Sequence, residues 1–190
     1  MRPHRLVVAT KNPDKAGEMR SVLLRVLPGI EFVESLGWED VAETGESLKD
    51  NAVLKARAVS AATGLPALAD DTGLEVDALG GAPGVHTARF AGPAATYAEN
   101  RALLLAALRG VVDRRARFRT VVALADGDTM VTASGAVEGS IALSERGSGG
   151  FGYDPIFEVG GRTLAEMGVV EKNTLSHRAR ALEALARKLR

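Results

Sequence analysis

Residues 6–33 read LVVATKNPDKAGEMRSVLLRVLPGIEFV, and the order of apolar and polar letters in them sets the fold class. Leu6-Val7-Val8-Ala9 is a short apolar run that reads as a buried strand, closed by Thr10-Lys11-Asn12-Pro13. Met19, Val22, Leu23, Val26 and Leu27 then follow helical spacing until Pro28-Gly29 stops the helix. Residues 30–33 supply the next strand. Strand, crossover helix and strand make a βαβ opening, the unit from which α/β sheets are built.

The rest of the chain continues in that style. Ser47 and Asp50 have capping-box spacing, opening a helix with Leu48, Ala52, Ala56 and Val59 on one face and a stop at Gly64-Leu65-Pro66. Residues 67–69 form a strand that delivers Asp70-Asp71 at its C-terminal end. Thr96 and Glu99 repeat the capping box before Leu103, Leu104, Ala107 and Leu108. Segments 119–125 and 130–137 flank Asp126-Gly127-Asp128, a hairpin signal. Residues 146–155, RGSGGFGYDP, form a glycine-rich loop before a strand at 156–159, and Leu175, Ala179, Leu182, Leu185 and Leu189 mark a final helix. The fold class expected is α/β with a mixed sheet.

With 190 residues, the chain suits a single domain over 1–190. Hydrophobic residues make up 46% and charged residues 25%, an ordinary globular balance. Lys plus Arg equals Asp plus Glu at 24 each, so no global field draws nucleic acid or an anionic membrane. The absence of cysteine excludes disulfides, thiolate metal sites and a cysteine nucleophile. The apolar run near the N-terminus is too short for a signal segment or a membrane span, and a cytoplasmic location is expected.

Several familiar chemistries are missing. There is no P-loop motif and no H-E-x-x-H, and His4, His86 and His177 are scattered. Residues 147–152, GSGGFG, fit G-x-G-x-x-G but lead into Tyr153-Asp154-Pro155 and a strand, so a dinucleotide fingerprint is rejected. The turn from Thr10 to Lys15 sits where a helix N-terminus favours anions, although alone it reads as an ordinary capped turn. Lys55, one turn after Asn51, reads alone as a surface lysine. Asp70-Asp71 is different in kind, because two adjacent carboxylates need a cation or hydrogen-bond donors. Oxygen ligands at a strand end suit Mg²⁺, which keeps waters and takes phosphate oxygens. Lys172, His177 and Arg178 gather donors at what reads as the start of the last helix.

The order of these blocks carries more than any one of them. TKNPDK at 10–15, ETG at 43–45 with NAVLKAR at 51–57, ADDTGLEVDALGGAPGVHTARFAG at 69–92, GSGGFGYDPIF at 147–157 and EKNTLSHR at 171–178 together resemble the inosine triphosphate pyrophosphatase family, the Ham1/RdgB-like enzymes. The resemblance runs from Thr10 to Arg178. It implies an elongated mixed sheet flanked by helices, two lobes around a central cleft, and a cytoplasmic homodimer. It implies a nucleoside-triphosphate pyrophosphatase that uses Mg²⁺ to hydrolyse ITP, dITP and XTP to the monophosphate and pyrophosphate. Carried over by motif, Thr10, Lys11, Asn12, Pro13, Asp14, Lys15 and Lys55 hold the triphosphate. Asp71 accepts the proton and ligates metal, Asp70 supports it, and Thr72 touches substrate. Phe151, Gly152, Tyr153, Asp154, Lys172, His177 and Arg178 enclose base and sugar. Many relatives carry an acidic pair before the Thr-Gly where this chain has Ala42-Glu43, with a single carboxylate; the resemblance implies that either Glu43 takes the metal-ligand role by a small shift or water fills the place.

The residue types fit that chemistry. Arg178 carries only donors and suits a purine 6-oxo group, not the 6-amino group of adenine. Phe151 or Tyr153 offers a ring for stacking. A Maf-like pyrophosphatase of other specificity is a rival, opposed by the GGFGYDP and SHR blocks. A non-catalytic purine nucleotide sensor is another, opposed by the intact Asp70-Asp71.

Overall fold

A computed structural model describes residues 3–34 and 37–190. The opening is the expected one: β1 (Arg5–Val8), α1 (Pro13–Val26) and β2 (Glu31–Phe32), with β2 parallel to β1. Next come α2 (Leu48–Thr63), β3 (Ala67–Val76), β4 (Pro83–Gly84), α3 (Tyr97–Ala107), β5 (Arg115–Asp126) and β6 (Thr129–Ile141). The chain ends with β7 (Phe157–Val159), β8 (Arg162–Thr163), α4 (Val169–Leu175) and α5 (His177–Lys188). The sheet order is β2-β1-β3-β5-β6-β7-β8, with β4 beside β3. β3 runs parallel to β1, whereas β4, β7 and β8 pair antiparallel, so the sheet is mixed, with helices flanking it. Among the described residues no helix is long and apolar enough to cross a membrane.

The chain forms two compact units. The first takes the residues up to Asp71 with Thr120–Gly135 and His177–Arg190. Strand residues alternate faces, and here the two faces differ in size. Leu6, Val8, Leu68, Val122 and Leu124 pack with Met19, Leu23, Leu182 and Leu185 of α1 and α5. Val7, Ala9, Ala67, Ala69, Ala123 and Ala125 meet Ala52, Ala56 and Val59 of α2. Alanine on both sides of the second contact lets α2 lie close on the strands. That proximity later brings its polar residues to β3.

The second unit comprises Thr72–Arg119 and Ala136–Ser176. Its core holds Leu74, Val76, Phe118, Val137, Tyr153, Ile156 and Phe157, with Leu104 of α3 and Leu108 just beyond it. The opposite face of the same strands is a ladder of ion pairs. Arg117 meets Glu75, Asp77 and Glu138, and Arg119 meets Glu75. One apolar and one solvated face produce the alternation visible after Thr72.

Three features differ from the sequence expectation. β3 does not end at Ala69 but runs through Asp70-Asp71 to Val76, because side chains from three helices neutralise both acids inside the sheet. The hairpin strands extend to Arg115 and Ile141: burial alternates along the start of β5, and in β6 it recurs at Ala133, Val137 and Ile141 past the apolar letters. The last helix is two: Ser176 is extended between α4 and α5, its N–H donating to the Lys172 carbonyl. Lys172 therefore does not share a helix start with His177 and Arg178.

Gly135 shows how closely α5 lies on β6. A Cβ there would stand 2.4 Å from both Ala181 N and the His177 carbonyl oxygen. Backbone atoms cannot rotate away, so Gly135→Ala must separate strand from helix. An overpacking loss of about 3 kcal/mol is expected, read as a lower urea midpoint at unchanged m-value.

Candidate active site

In the first unit, Asp70 and Asp71 are 1% and 6% exposed. Being adjacent on a strand, they point to opposite faces and meet different helices. Asp71 shares the alanine face with α2. Its Oδ2 accepts from Asn51 Nδ2 at 3.2 Å and its Oδ1 from Lys55 Nζ at 3.4 Å. Lys55 Nζ also donates to Glu43 Oε1 at 2.8 Å. Asp70 shares the α1–α5 face. Its Oδ2 accepts from Arg178 Nε at 3.2 Å and NH2 at 3.1 Å, with Lys15 Nζ at 3.5 Å. The pleat therefore separates the two acids, and Asp71 alone shares a face with Lys55 and Glu43.

Their environments drive them apart in basicity as well. Burial alone would raise Asp70, but Lys15 and Arg178 outweigh it and hold the carboxyl far below the usual range. Burial also raises Asp71, Glu43 adds to the effect, and Lys55, Lys15 and Asn51 do not fully offset it. One acid is locked as an anion and its neighbour is the stronger base, the pattern by which paired carboxylates acquire separate roles. Burial works against the charge on Lys55, yet Asp71, Asp70 and Glu43 together raise its pKa, so it remains an ammonium.

Local sequence explains the placement. Ser47 caps α2, accepting from Asp50 N, and Asn51 and Lys55 follow one turn apart on the buried side. Asn51 is fully buried, and its Oδ1 accepts from Gly45 N at 2.8 Å. That bond fixes the amide so that its nitrogen faces Asp71. A Cβ on Gly45 would stand 2.7 Å from Asn51 Oδ1 and 2.9 Å from Asn51 N, so glycine is required for this approach. Glu43 precedes it by two residues and is aimed at Lys55.

The residues of the first turn are largely a capped helix start. Asn12 Oδ1 accepts from Asp14 N at 2.9 Å and Lys15 N at 3.2 Å, Thr10 Oγ1 accepts from Asn12 N, and Pro13 occupies the first helical position. Asp14 adds an acid to the first turn. Lys11 lies outward against Asp40 at 2.5 Å, whereas Lys15 turns inward to Asp70. His177 Nδ1 bonds Thr120 Oγ1 at 2.6 Å, both buried. Arg178, expected to face a purine, is 2% exposed. Its NH1 donates to Glu18, and its Nε and NH2 to Asp70. In this structure it positions Asp70.

The second unit holds the other expected residues. Thr72 follows Asp71 directly in β3 and is half-buried. Asp154 Oδ2 accepts from Phe151 N at 2.8 Å and from Lys172 Nζ at 2.6 Å, and that ammonium lies 4.7 Å from the Phe151 ring centroid. Gly152 has φ +61°, a left-handed turn that glycine favours. Tyr153 belongs to the core: its hydroxyl donates to the Thr87 carbonyl at 2.9 Å and burial pushes its pKa up. Of the two rings expected to stack, Phe151 is the accessible one.

Glu43 and Asp71 converge on the Lys55 ammonium. Their carboxylate oxygens are the donor type that Mg²⁺ takes, and Glu43 and Asp71 are the residues that would hold such an ion. Among the described residues no three His, Asp or Glu side chains cluster, and such an ion needs no third.

Sequence reasoning passed over Asn51, Glu18 and Thr120. Asn51 left a signal, a polar residue at i−4 from Lys55 beside the apolar face formed by Leu48, Ala52, Ala56 and Val59. Glu18 and Thr120 left none, since their partners lie 160 and 57 residues away.

Residues 6–188 match the model of the Ham1 family. The chain is 49% identical over 188 residues to the dITP/XTP pyrophosphatase of Xylella fastidiosa (strain Temecula1), covering 95% of this chain and 94% of that one. It is 48% identical over 195 residues to the dITP/XTP pyrophosphatase of Methylococcus capsulatus, covering 98% and 96%. A HAM1 protein from Coxiella burnetii superposes with TM-score 0.87 at 44% identity, over 97% of this chain and 98% of that one. The nucleoside-triphosphatase / dITP/XTP pyrophosphatase of Mycobacterium abscessus gives TM-score 0.74 at 44% identity, covering 95% and 98%. Sequence and backbone match along almost the same span, and the chain belongs to the Ham1 family.

Proposed function

We propose that this pyrophosphatase hydrolyses the non-canonical purine nucleotides dITP, XTP and ITP, releasing the nucleoside monophosphate and pyrophosphate with Mg²⁺ as cofactor. The observation that carries the reading is the split between the two acids, with Asp71 facing Asn51 and Lys55 on one side of the sheet and Asp70 paired with Arg178 and Lys15 on the other. Names borne by the relatives supply the substrate class.

Water attacks the α-phosphorus, the bond from that phosphorus to the oxygen leading to the β-phosphate breaks, and pyrophosphate departs. Asp71 accepts the proton, for which its raised pKa suits it. Asn51, held by Gly45, orients the carboxylate. Lys55 supplies positive charge where phosphoryl oxygens gain negative charge. When bound at Glu43 and Asp71, Mg²⁺ supplies Lewis acidity and acidifies water. Asp70 lends its charge to keep Lys15 and Arg178 in place. Phe151 offers a stacking face, and Lys172, a donor-only group, suits an oxo-purine better than an amino-purine.

The test is pyrophosphate release from dITP, XTP, ITP, GTP and ATP with and without Mg²⁺. The expected result is Mg²⁺-dependent release favouring the first three over ATP by at least about a hundredfold, the discrimination available when a buried donor is left unpaired. Comparable rates on ATP overturn the assigned specificity.

A further inference from the structure

The second unit contains a tether that the reaction above does not use. Arg101 lies on α3, one turn after Tyr97. Its Nε donates to Glu145 Oε1 at 2.9 Å and its NH2 to Glu145 Oε2 at 3.1 Å. Its NH1 donates to the Gly152 carbonyl oxygen at 2.9 Å. One guanidinium therefore holds a carboxylate just before the glycine-rich loop and a backbone carbonyl within it. The Tyr97 ring lies 6.1 Å from that of Phe151 at 41°, so the same face of α3 meets the loop twice.

The loop needs such a hold. Residues 147–152 read GSGGFG, and glycine loses more backbone freedom on ordering than any other residue. Backbone bonds from Gly149 N to the Ala165 carbonyl and from Arg146 N to the Pro155 carbonyl fix parts of it. Asp154 fixes the Phe151 amide. The Gly152 peptide is fixed from outside the loop by Arg101. A charged residue on a helix ordinarily reads as surface; this side chain is only 15% exposed.

We infer that Arg101 is a positioning residue: by tying Glu145 and the Gly152 carbonyl to α3, it holds the Phe151 loop ready for a purine nucleotide. The inference rests on the nucleotide-binding role given to Phe151 above. Ordering done before binding is not charged against affinity, so loss of the tether weakens binding more than turnover.

Hydrogen exchange of the nucleotide-free protein and steady-state kinetics with dITP together test this. Arg101→Ala is expected to speed exchange of the 147–152 amides at least about tenfold while amides of β5 and β6 keep their protection. KM is expected to rise about tenfold with kcat within about threefold. Arg101→Lys rescues only in part, because one ammonium cannot copy the fork on Glu145 while reaching Gly152. Glu145→Ala removes the loop-side partner and gives a smaller change in the same direction, and it carries the test should Arg101→Ala not fold. Unchanged loop exchange with unchanged KM overturns the inference, as does uniform loss of protection across the unit with kcat falling as much as KM rises. Faster loop exchange with no dITP hydrolysis by the wild type rejects the nucleotide role while leaving the tether standing.

Discussion

Asp71→Asn is expected to lower kcat by at least about a thousandfold, within the range ascribed to a positioned general base and its electrostatics, while the protein stays folded. Asn keeps the volume of Asp and retains an oxygen to accept from Asn51 Nδ2, now 3.2 Å from the carboxylate. Lys55 keeps Glu43 at 2.8 Å. The raised pKa predicts the sign of the stability change. The folded state disfavours ionised Asp71, first through burial and then through Glu43, so a neutral isostere does not destabilise at neutral pH. The thermal midpoint should stay level or rise slightly. In the wild type, kcat/KM should climb with pH along an acid limb centred above 3.8, the ordinary value for this group. Pre-steady-state and steady-state turnover with dITP, beside a melting curve, check both halves. A variant that keeps a tenth of wild-type activity removes Asp71 from the role of proton acceptor.

How much of this was legible in the letters follows from the range of each interaction. The βαβ opening, both capping residues and the hairpin depend on contacts within a few residues, and the sequence shows them. Local spacing also exposes Asp70-Asp71 as an unusual pair. It does not show that the strand continues past them, because that depends on Lys15, Arg178, Asn51 and Lys55 arriving from three helices. With the strand assumed to end, two adjacent acids share one site. With the strand continuing, the pleat sends them to opposite faces. The same limit hid Arg178: a donor-rich residue at a helix start suggests a ligand, whereas Asp70 and Glu18 lie 108 and 160 residues away in the chain. Tyr153 read as a stacking ring because GFGYDP is a loop motif, yet the turn buries it beneath Thr87.

The opposite variant, Asp70→Asn, separates stability from chemistry. It leaves the Arg178 guanidinium buried at 2% exposure with half of its carboxylate partners neutralised, and it deprives Lys15 of its inward partner. Breaking one side of a buried ion pair costs about 3–5 kcal/mol, so a large downward shift of the urea midpoint is expected. The pH dependence has a definite sign. Burial pushes Asp70 up, but Lys15 and Arg178 pull it well below its unfolded value of 3.8. Its contribution is therefore present in full above that value and is lost as pH falls from there toward the folded-state pKa. Wild-type stability should fall steeply with acid in that window, and Asp70→Asn should fall less, so the two curves converge as pH drops below about 4. Arg178→Met in the Asp70→Asn background should recover part of the loss, since an apolar side chain of similar length no longer buries an uncompensated charge. Urea unfolding at neutral pH and between pH 3 and about 5, on wild type, both single variants and the double, reads the whole pattern. A single Asp70→Asn variant within about 1 kcal/mol of wild type, the range of an ordinary hydrogen bond, would mean that Asp70 is not what holds Arg178. The separation of a structural from a catalytic carboxylate would then fail at its first step, because Asp70 would have no structural charge to hold in place.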